Sequence, residues 1–177
     1  MTAVPLDPAA VVREHAAFVH RVLRHLGVAP GQLDDANQEV FLAVCRQLNQ
    51  FEGRSSVRTW IYGICRNVAL RAGRPGGREV LAAEPPEVDQ PPSQDADLWL
   101  KQARAQLRAA LATLEETPRM VFLLYEIEGL NMEEVAAAIG APVTTCYSRL
   151  YVAREKVQAA LRRNARVRLG KPVEVSS

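Results

Sequence analysis

Residues 131–150 run Asn131-Met132-Glu133-Glu134-Val135-Ala136-Ala137-Ala138-Ile139-Gly140-Ala141-Pro142-Val143-Thr144-Thr145-Cys146-Tyr147-Ser148-Arg149-Leu150. Asn131 with Glu134 three positions on is the pattern of a capping box, in which each side chain satisfies a backbone amide left open at a helix start. Val135, Ala136 and Ile139 follow at helical spacing, and Gly140 supplies a stop. Ala141-Pro142 then restarts the chain as a longer helix, with Val143, Cys146, Leu150, Val157 and Leu161 facing inward. A short helix, a glycine turn and a longer basic helix make a helix-turn-helix, whose second helix is shaped to enter a DNA major groove. Its first turns carry Thr144, Thr145, Tyr147, Ser148 and Arg149. Hydroxyls bond base edges or phosphates, and a guanidinium clamps a phosphate or a guanine. Two packed helices with no ligand remain the plainer reading of the same pattern.

Helical patterning extends upstream. Leu100, Leu107, Leu111 and Leu114 form one stripe, and Thr117-Pro118 caps the next helix, which carries Val121, Phe122, Leu124 and Tyr125 and stops at Gly129. Before these, Glu84-Pro85-Pro86-Glu87-Val88-Asp89-Gln90-Pro91-Pro92-Ser93 has little to bury, and its prolines exclude helix and sheet alike. Nearer the start, Asp7-Pro8 offers an N-cap and first-turn pair for a helix burying Val11, Val12, Phe18, Val19, Val22, Leu23 and Leu26, with Gly27 as its stop. A second helix opens near Asp34 and Asp35 and buries Val40, Phe41, Val44, Cys45 and Leu48. A polar loop from Asn49 to Ser56 leads into a third, with Val57, Ile61, Ile64, Cys65 and Val68 inward. The expected fold is all-α: two small helical domains, 1–80 and 99–168, joined by an acidic, proline-rich flexible linker over 81–98, with a tail at 169–177.

Charge follows the same division. The net value is only +2, yet Arg54, Arg58, Arg66, Arg71, Arg74 and Arg78 fall in a stretch without an acid. Arg149, Arg154, Lys156, Arg162, Arg163, Arg166, Arg168 and Lys171 face Glu155 alone, and the linker between the two stretches is acidic. This suggests two anion-binding modules on a tether. No apolar run approaches a membrane span and no basic-then-apolar leader opens the chain, so a cytoplasmic protein is expected. Cys45, Cys65 and Cys146 are isolated, which argues against disulfides and zinc and suits small buried hydrophobes. His15, His20 and His25 recur every five residues, a spacing that spreads them around a helix as partly exposed side chains rather than gathering a metal site. No phosphate loop, H-E-x-x-H or nucleophile elbow is present, so no catalytic residues, metal or cofactor are expected.

On the third helix Arg58, Tyr62 and Arg66 stand at four-residue steps, opposite the apolar stripe and beside Trp60. An aromatic between guanidiniums offers stacking plus phosphate contact to unpaired nucleic acid, and the loop before it could hold a base turned out of its stack. Aromatics of the core or of a domain edge would give the same pattern.

With these stretches in view, the chain resembles bacterial RNA polymerase sigma factors of the small, extracytoplasmic-function subfamily. The run Asp35-Ala36-Asn37-Gln38-Glu39-Val40-Phe41-Leu42 is similar to D-x-x-Q-E-x-F in sigma region two. Phe51-Glu52-Gly53-Arg54-Ser55-Ser56-Val57-Arg58-Thr59-Trp60-Ile61-Tyr62-Gly63-Ile64-Cys65-Arg66-Asn67 resembles the promoter-melting segment F-x-G-x-S-x-x-x-T-W-L-x-x-I-A-R-N. Glu126-Ile127-Glu128-Gly129-Leu130-Asn131-Met132-Glu133-Glu134-Val135-Ala136 and Thr145-Cys146-Tyr147-Ser148-Arg149-Leu150 resemble E-x-E-G-x-S-x-x-E-I-A and T-V-K-S-R-L of region four.

The resemblance implies roles. Asp35, Gln38, Glu39 and Phe41 would meet the clamp of the polymerase's largest subunit, and the second half its second-largest subunit's flap. Asn49, Gly53, Arg54, Ser55, Ser56, Arg58, Thr59, Trp60, Tyr62, Arg66 and Asn67 would take the minus-ten element, as duplex and then as single strand. Thr144, Thr145, Tyr147, Ser148, Arg149 and Arg154 would read the minus-thirty-five duplex. A cognate anti-sigma factor would hold the protein inactive. Three departures stand out: Gly63 where the family often has Arg, Tyr147 for the usual Lys, and Glu115-Glu116-Thr117-Pro118-Arg119 for L-P-x-x-x-R-x-V. They bear on promoter preference and affinity. The alternative is a helix-turn-helix regulator that does not bind core polymerase, which leaves Gln38-Glu39 and the Trp60 segment without a purpose.

Overall fold

The computed structural model describes residues 7–72 and 94–169, with side chains described over 7–72 and 101–163. Among these residues every regular element is helical. The first half holds α1 (Pro8–His25), α2 (Leu33–Gln47) and α3 (Val57–Arg71); the second holds α4 (Gln94–Ala112), α5 (Glu116–Phe122), α6 (Met132–Ile139) and α7 (Val143–Leu169). The Asp7 carboxylate accepts from the Ala9 and Ala10 amides at 3.1 and 3.2 Å, satisfying donors that the first turn of α1 leaves open. Ser56 does the same for α3, its Oγ accepting from the Thr59 amide at 3.2 Å. Asn131 and Glu134 close a reciprocal capping box at 2.9 Å each way, and Gly140 takes the left-handed conformation, φ +72°, that turns α6 into α7.

Some boundaries and burials differ from the sequence expectation. Helix α4 begins at Gln94, inside the segment expected as linker; the proline-rich stretch before it and the tail after Leu169 lie outside the described residues, as does the side chain of Leu100. Helix α5 starts at Glu116 behind an extended Glu115, so Thr117-Pro118 lies within its first turn rather than before it. The chain then widens into a π-helical turn over Leu123–Ile127 before Gly129, φ +69°. Cys45 is exposed and Phe41 only partly buried, because α2 shows that face to solvent, whereas Cys65 and Cys146 are buried and burial raises both thiols. His25 is fully buried instead of partly exposed, because the end of α1 is covered by the second half.

The halves share one core. Phe18, Val22, Leu23, Val40, Ile61, Cys65 and Val68 of the first belong to a buried cluster that continues through Met120, Val121, Leu124, Val135 and Leu150 of the second. A smaller cluster, with Ala110, Leu111 and Leu114 against Ala153, Val157 and Ala160, ties α4 along α7.

Candidate nucleic-acid interface

On α2, Asp35, Gln38 and Glu39 are exposed with Phe41 partly buried behind them, so this helix presents an acidic, polar ridge. Glu39 pairs with Arg71 of α3 at 2.6 Å, but both side chains are more than half exposed, which makes the pair weak and exchangeable. Leu42 lies on the same ridge with 49% of its surface exposed. Sequence reasoning passed over it, although its place four residues after Gln38 puts it on that face.

The loop before α3 forms a concave surface. Leu48–Gln50 make a 3-10 turn, Gly53 sits at φ +69°, and Phe51 packs on Trp60 with ring centroids 5.2 Å apart. Phe51, Arg54, Ser55 and Trp60, with Gln50 and Glu52, line a cavity of about 270 Å³. Its floor is aromatic and its rim polar, and Arg54 is ion-paired with Glu52 at the edge. Asn49 is exposed beside it. Ser56 and Thr59 serve the helix start instead: Thr59 is buried, with its hydroxyl 3.0 Å from that of Ser56.

Further along α3 the expected surface divides. Arg66, Gly63 and Asn67 are exposed, but Tyr62 is only 3% exposed because the second half covers it. Tyr62 and Arg66 line a cavity of about 200 Å³ together with Glu116, Thr117 and Arg149. Thus the two stretches expected to touch separate promoter elements meet each other. Arg58 donates to the Glu128 carbonyl at 2.6 Å, with its guanidinium 5.9 Å from the centre of the Phe18 ring. The Glu128 carboxylate, 2% exposed, takes both ends of a fork from Arg21 of α1 at 2.6 and 2.9 Å. Arg119 donates to the His25 carbonyl at 3.1 Å, a third polar link across the same seam. A bidentate guanidinium–carboxylate pair with one end buried fixes orientation as well as adding energy. Nothing in the local pattern marks Arg21 and Glu128 as partners, since they are 107 positions apart.

On α7, Thr144, Tyr147 and Ser148 are exposed, while Thr145 and Arg149 are partly buried toward the seam. The Ser148 hydroxyl donates to the Thr144 carbonyl at 3.1 Å. Arg154 is held by Glu126 at 2.6 Å and lies 5.8 Å from the centre of the Tyr125 ring. Tyr151, 64% exposed and one turn beyond Tyr147, extends the aromatic stripe and was missed because it lies past the first turns of the helix. No group of three or more His, Cys, Asp or Glu side chains gathers as a metal site among the described residues, and no described helix is long and apolar enough to cross a membrane.

Comparison with known proteins agrees with this geometry. Residues 11–79 match the family description Sigma-70 region 2, and residues 104–157 match Sigma-70, region 4. The chain is 34% identical over 170 residues to the ECF RNA polymerase sigma-E factor of Escherichia coli, covering 86% of this chain and 87% of that one. It is 29% identical over 159 residues to the ECF RNA polymerase sigma factor SigE of Mycolicibacterium smegmatis, covering 88% of this chain and 62% of the relative's length. In fold it is similar to the sigma factor RpoE in complex with the anti-sigma factor NepR from Bartonella quintana, with a TM-score of 0.66, 24% identity, and 87% and 96% of the two chains covered. CnrH in complex with the cytosolic domain of CnrY gives a TM-score of 0.62 and 24% identity, with 88% and 87% covered.

Proposed function

Because the chain belongs to the ECF sigma factors of bacterial RNA polymerase, which direct the core enzyme to promoters, we propose that its surfaces divide that work as follows. The ridge of Asp35, Gln38, Glu39 and Leu42 docks on core polymerase, charge steering it and Leu42 adding apolar contact. The Phe51–Trp60 cavity captures an unstacked non-template base of the minus-ten element, with Arg54, Arg66 and Asn67 on the adjoining phosphates. Helix α7 reads the minus-thirty-five duplex through Thr144, Tyr147, Ser148 and Tyr151, with Arg149 on a phosphate. Ser56 and Thr59 hold the start of α3, and Arg154 braces α7 against Glu126. The protein works without chemistry of its own, in the cytoplasm where the polymerase is, and an anti-sigma factor restrains it as NepR pairs with its own sigma factor.

In this conformation Tyr62, Arg58 and Arg149 face the opposite half rather than DNA. Promoter binding on both elements therefore requires the seam to open, and Arg58 and Tyr62 reach the minus-ten strand only then.

The cavity walled by Phe51 and Trp60 carries this assignment, and permanganate reactivity of promoter thymines tests it. Trp60→Ala holoenzyme is expected to bind duplex promoter, melt it poorly and recover on a template with a mismatched bubble; Trp60→Phe, which keeps an aromatic floor, should melt well. Normal melting by a folded Trp60→Ala protein would remove the cavity from the opening step.

A further inference from the structure

Helix α3 keeps a glycine near its middle for which the described residues supply no reason. Gly63 lies in an uninterrupted α-helical run from Val57 to Arg71, and its φ is not in the left-handed region that favours glycine. It is exposed, and a Cβ added there would meet nothing within 4 Å among the described residues. Neither backbone conformation nor packing against a described neighbour requires the absent side chain. A glycine inside a helix is nonetheless destabilising relative to alanine, because it loses more backbone freedom on folding. What such a position offers is close approach of an outside group to the helix backbone.

The neighbours of Gly63 indicate which group. Successive helical residues turn by about 100°, so Trp60 and Asn67 flank Gly63 on one side, Thr59 and Arg66 flank it on the other, and Leu70 lies in line two turns on. Trp60 walls the loop cavity with Phe51. Arg66 and Asn67 are exposed, and Leu70 has 52% of its surface exposed. Gly63 is thus the low point of a face with an aromatic cavity at one end and a cation and an amide at the other. From Trp60 to Asn67 the helix rises only about 10 Å, short enough for one segment of unpaired strand to touch both ends.

We propose that Gly63 is the point at which the non-template strand lies against α3. The sugar–phosphate backbone leading from the base held at Phe51 and Trp60 passes over Gly63, and a side chain there holds it off, out of reach of Arg66 and Asn67. This role rests on the minus-ten reading of the cavity and adds to it a residue that acts by what it leaves out.

The test follows Gly63→Ala and Gly63→Leu through thermal unfolding of the full chain, affinity for core polymerase, gel-shift binding of the holoenzyme to duplex promoter, and permanganate reactivity of promoter thymines. Both side chains favour helix over glycine, so both variants are expected to unfold a few degrees above wild type. Core affinity and closed-complex binding should be unchanged. The ratio of melted to closed complex is expected to fall with side-chain size, about threefold for Ala and at least about tenfold for Leu, as for a group crowded out of a close contact. Unfolding of Gly63→Ala below wild type overturns the role, because the glycine then serves the chain's own fold. Weaker core binding overturns it by giving the face to polymerase, and an unchanged melting ratio in Gly63→Leu overturns it by leaving the face empty. Trp60→Ala, measured alongside, keeps the two readings apart. Poor melting by Trp60→Ala with normal melting by Gly63→Leu removes Gly63 alone, whereas normal melting by Trp60→Ala removes the cavity and the approach to it together.

Discussion

Glu128 and His25 are two residues whose neighbours come from the far end of the chain, and each turns that meeting into a measurable property. The Glu128 carboxylate is withdrawn from water and held by a two-point fork, while its own carbonyl accepts from Arg58. His25 stands among positive charges: Arg21 and Arg24 on α1 and Arg119 from α5, which donates to the His25 carbonyl. Burial first, and then the Arg24, Arg119 and Arg21 charges, lowers its pKa from 6.5 to about 3. The unfolded chain therefore takes up a proton below 6.5 that the folded chain refuses. This contribution to stability is fully present above 6.5 and is lost progressively as pH falls toward the folded value. It predicts a loss of about 2 kcal/mol by pH 5 that His25→Leu lacks. His15 and His20 are lowered in the same direction, so the measurement is the difference between wild-type and His25→Leu denaturation curves from pH 7 to 5. Parallel curves would show that His25 is protonated in the folded protein.

At the scale of elements, α2 and α7 carry the two surfaces proposed to meet polymerase and the minus-thirty-five duplex. Glu39→Lys is expected to weaken co-elution with core polymerase while changing stability by less than about 0.5 kcal/mol, because its bond to Arg71 is exposed. Unchanged co-elution would take the α2 ridge out of the docking surface. On α7, Arg149→Ala should lower minus-thirty-five affinity and reduce the salt slope by roughly one unit, the signature of one lost phosphate contact. An intact slope with relaxed preference at one base would make Arg149 a reader of sequence. The helices themselves were legible because their signals are local: Asp7, Ser56 and Asn131 as caps, Gly129 and Gly140 as stops, apolar residues at helical spacing between them. The π-helical turn at Leu123–Ile127 was not, since a period of 3.6 carries no mark of one widened turn. The loop cavity was foreseen from its residue types, but the support given by Phe51 to Trp60 needed coordinates.

At the scale of the whole molecule, what escaped the sequence was how the halves meet. Tyr62 is expected on an open face opposite the apolar stripe of α3, but it belongs to the same buried cluster as Ile61, Cys65 and Val68, because apolar residues of the second half, Met120 and Ile139 among them, cover it. A pattern within one helix cannot register a partner that arrives from elsewhere in the chain. The seam combines continuous apolar packing with the Arg21–Glu128 fork; it buries Tyr62, ties Arg58 to the Glu128 carbonyl and turns Arg149 toward Tyr62 and Arg66. On the proposed reading this closed state stands in equilibrium with an open one, and a change that weakens only the seam shifts the balance toward the form proposed to bind DNA. The most direct measurement is run-off transcription by core polymerase at limiting concentrations of wild type, Arg21→Glu, Glu128→Arg and the doubly exchanged variant. Each single reversal sets like charges against each other across the seam, while the double exchange restores an opposite pair. More transcript from folded single variants, returning to the wild-type level in the double exchange, is the predicted result. Folded single variants that bind core polymerase yet transcribe no more than wild type would contradict a seam that conceals the promoter-reading surface.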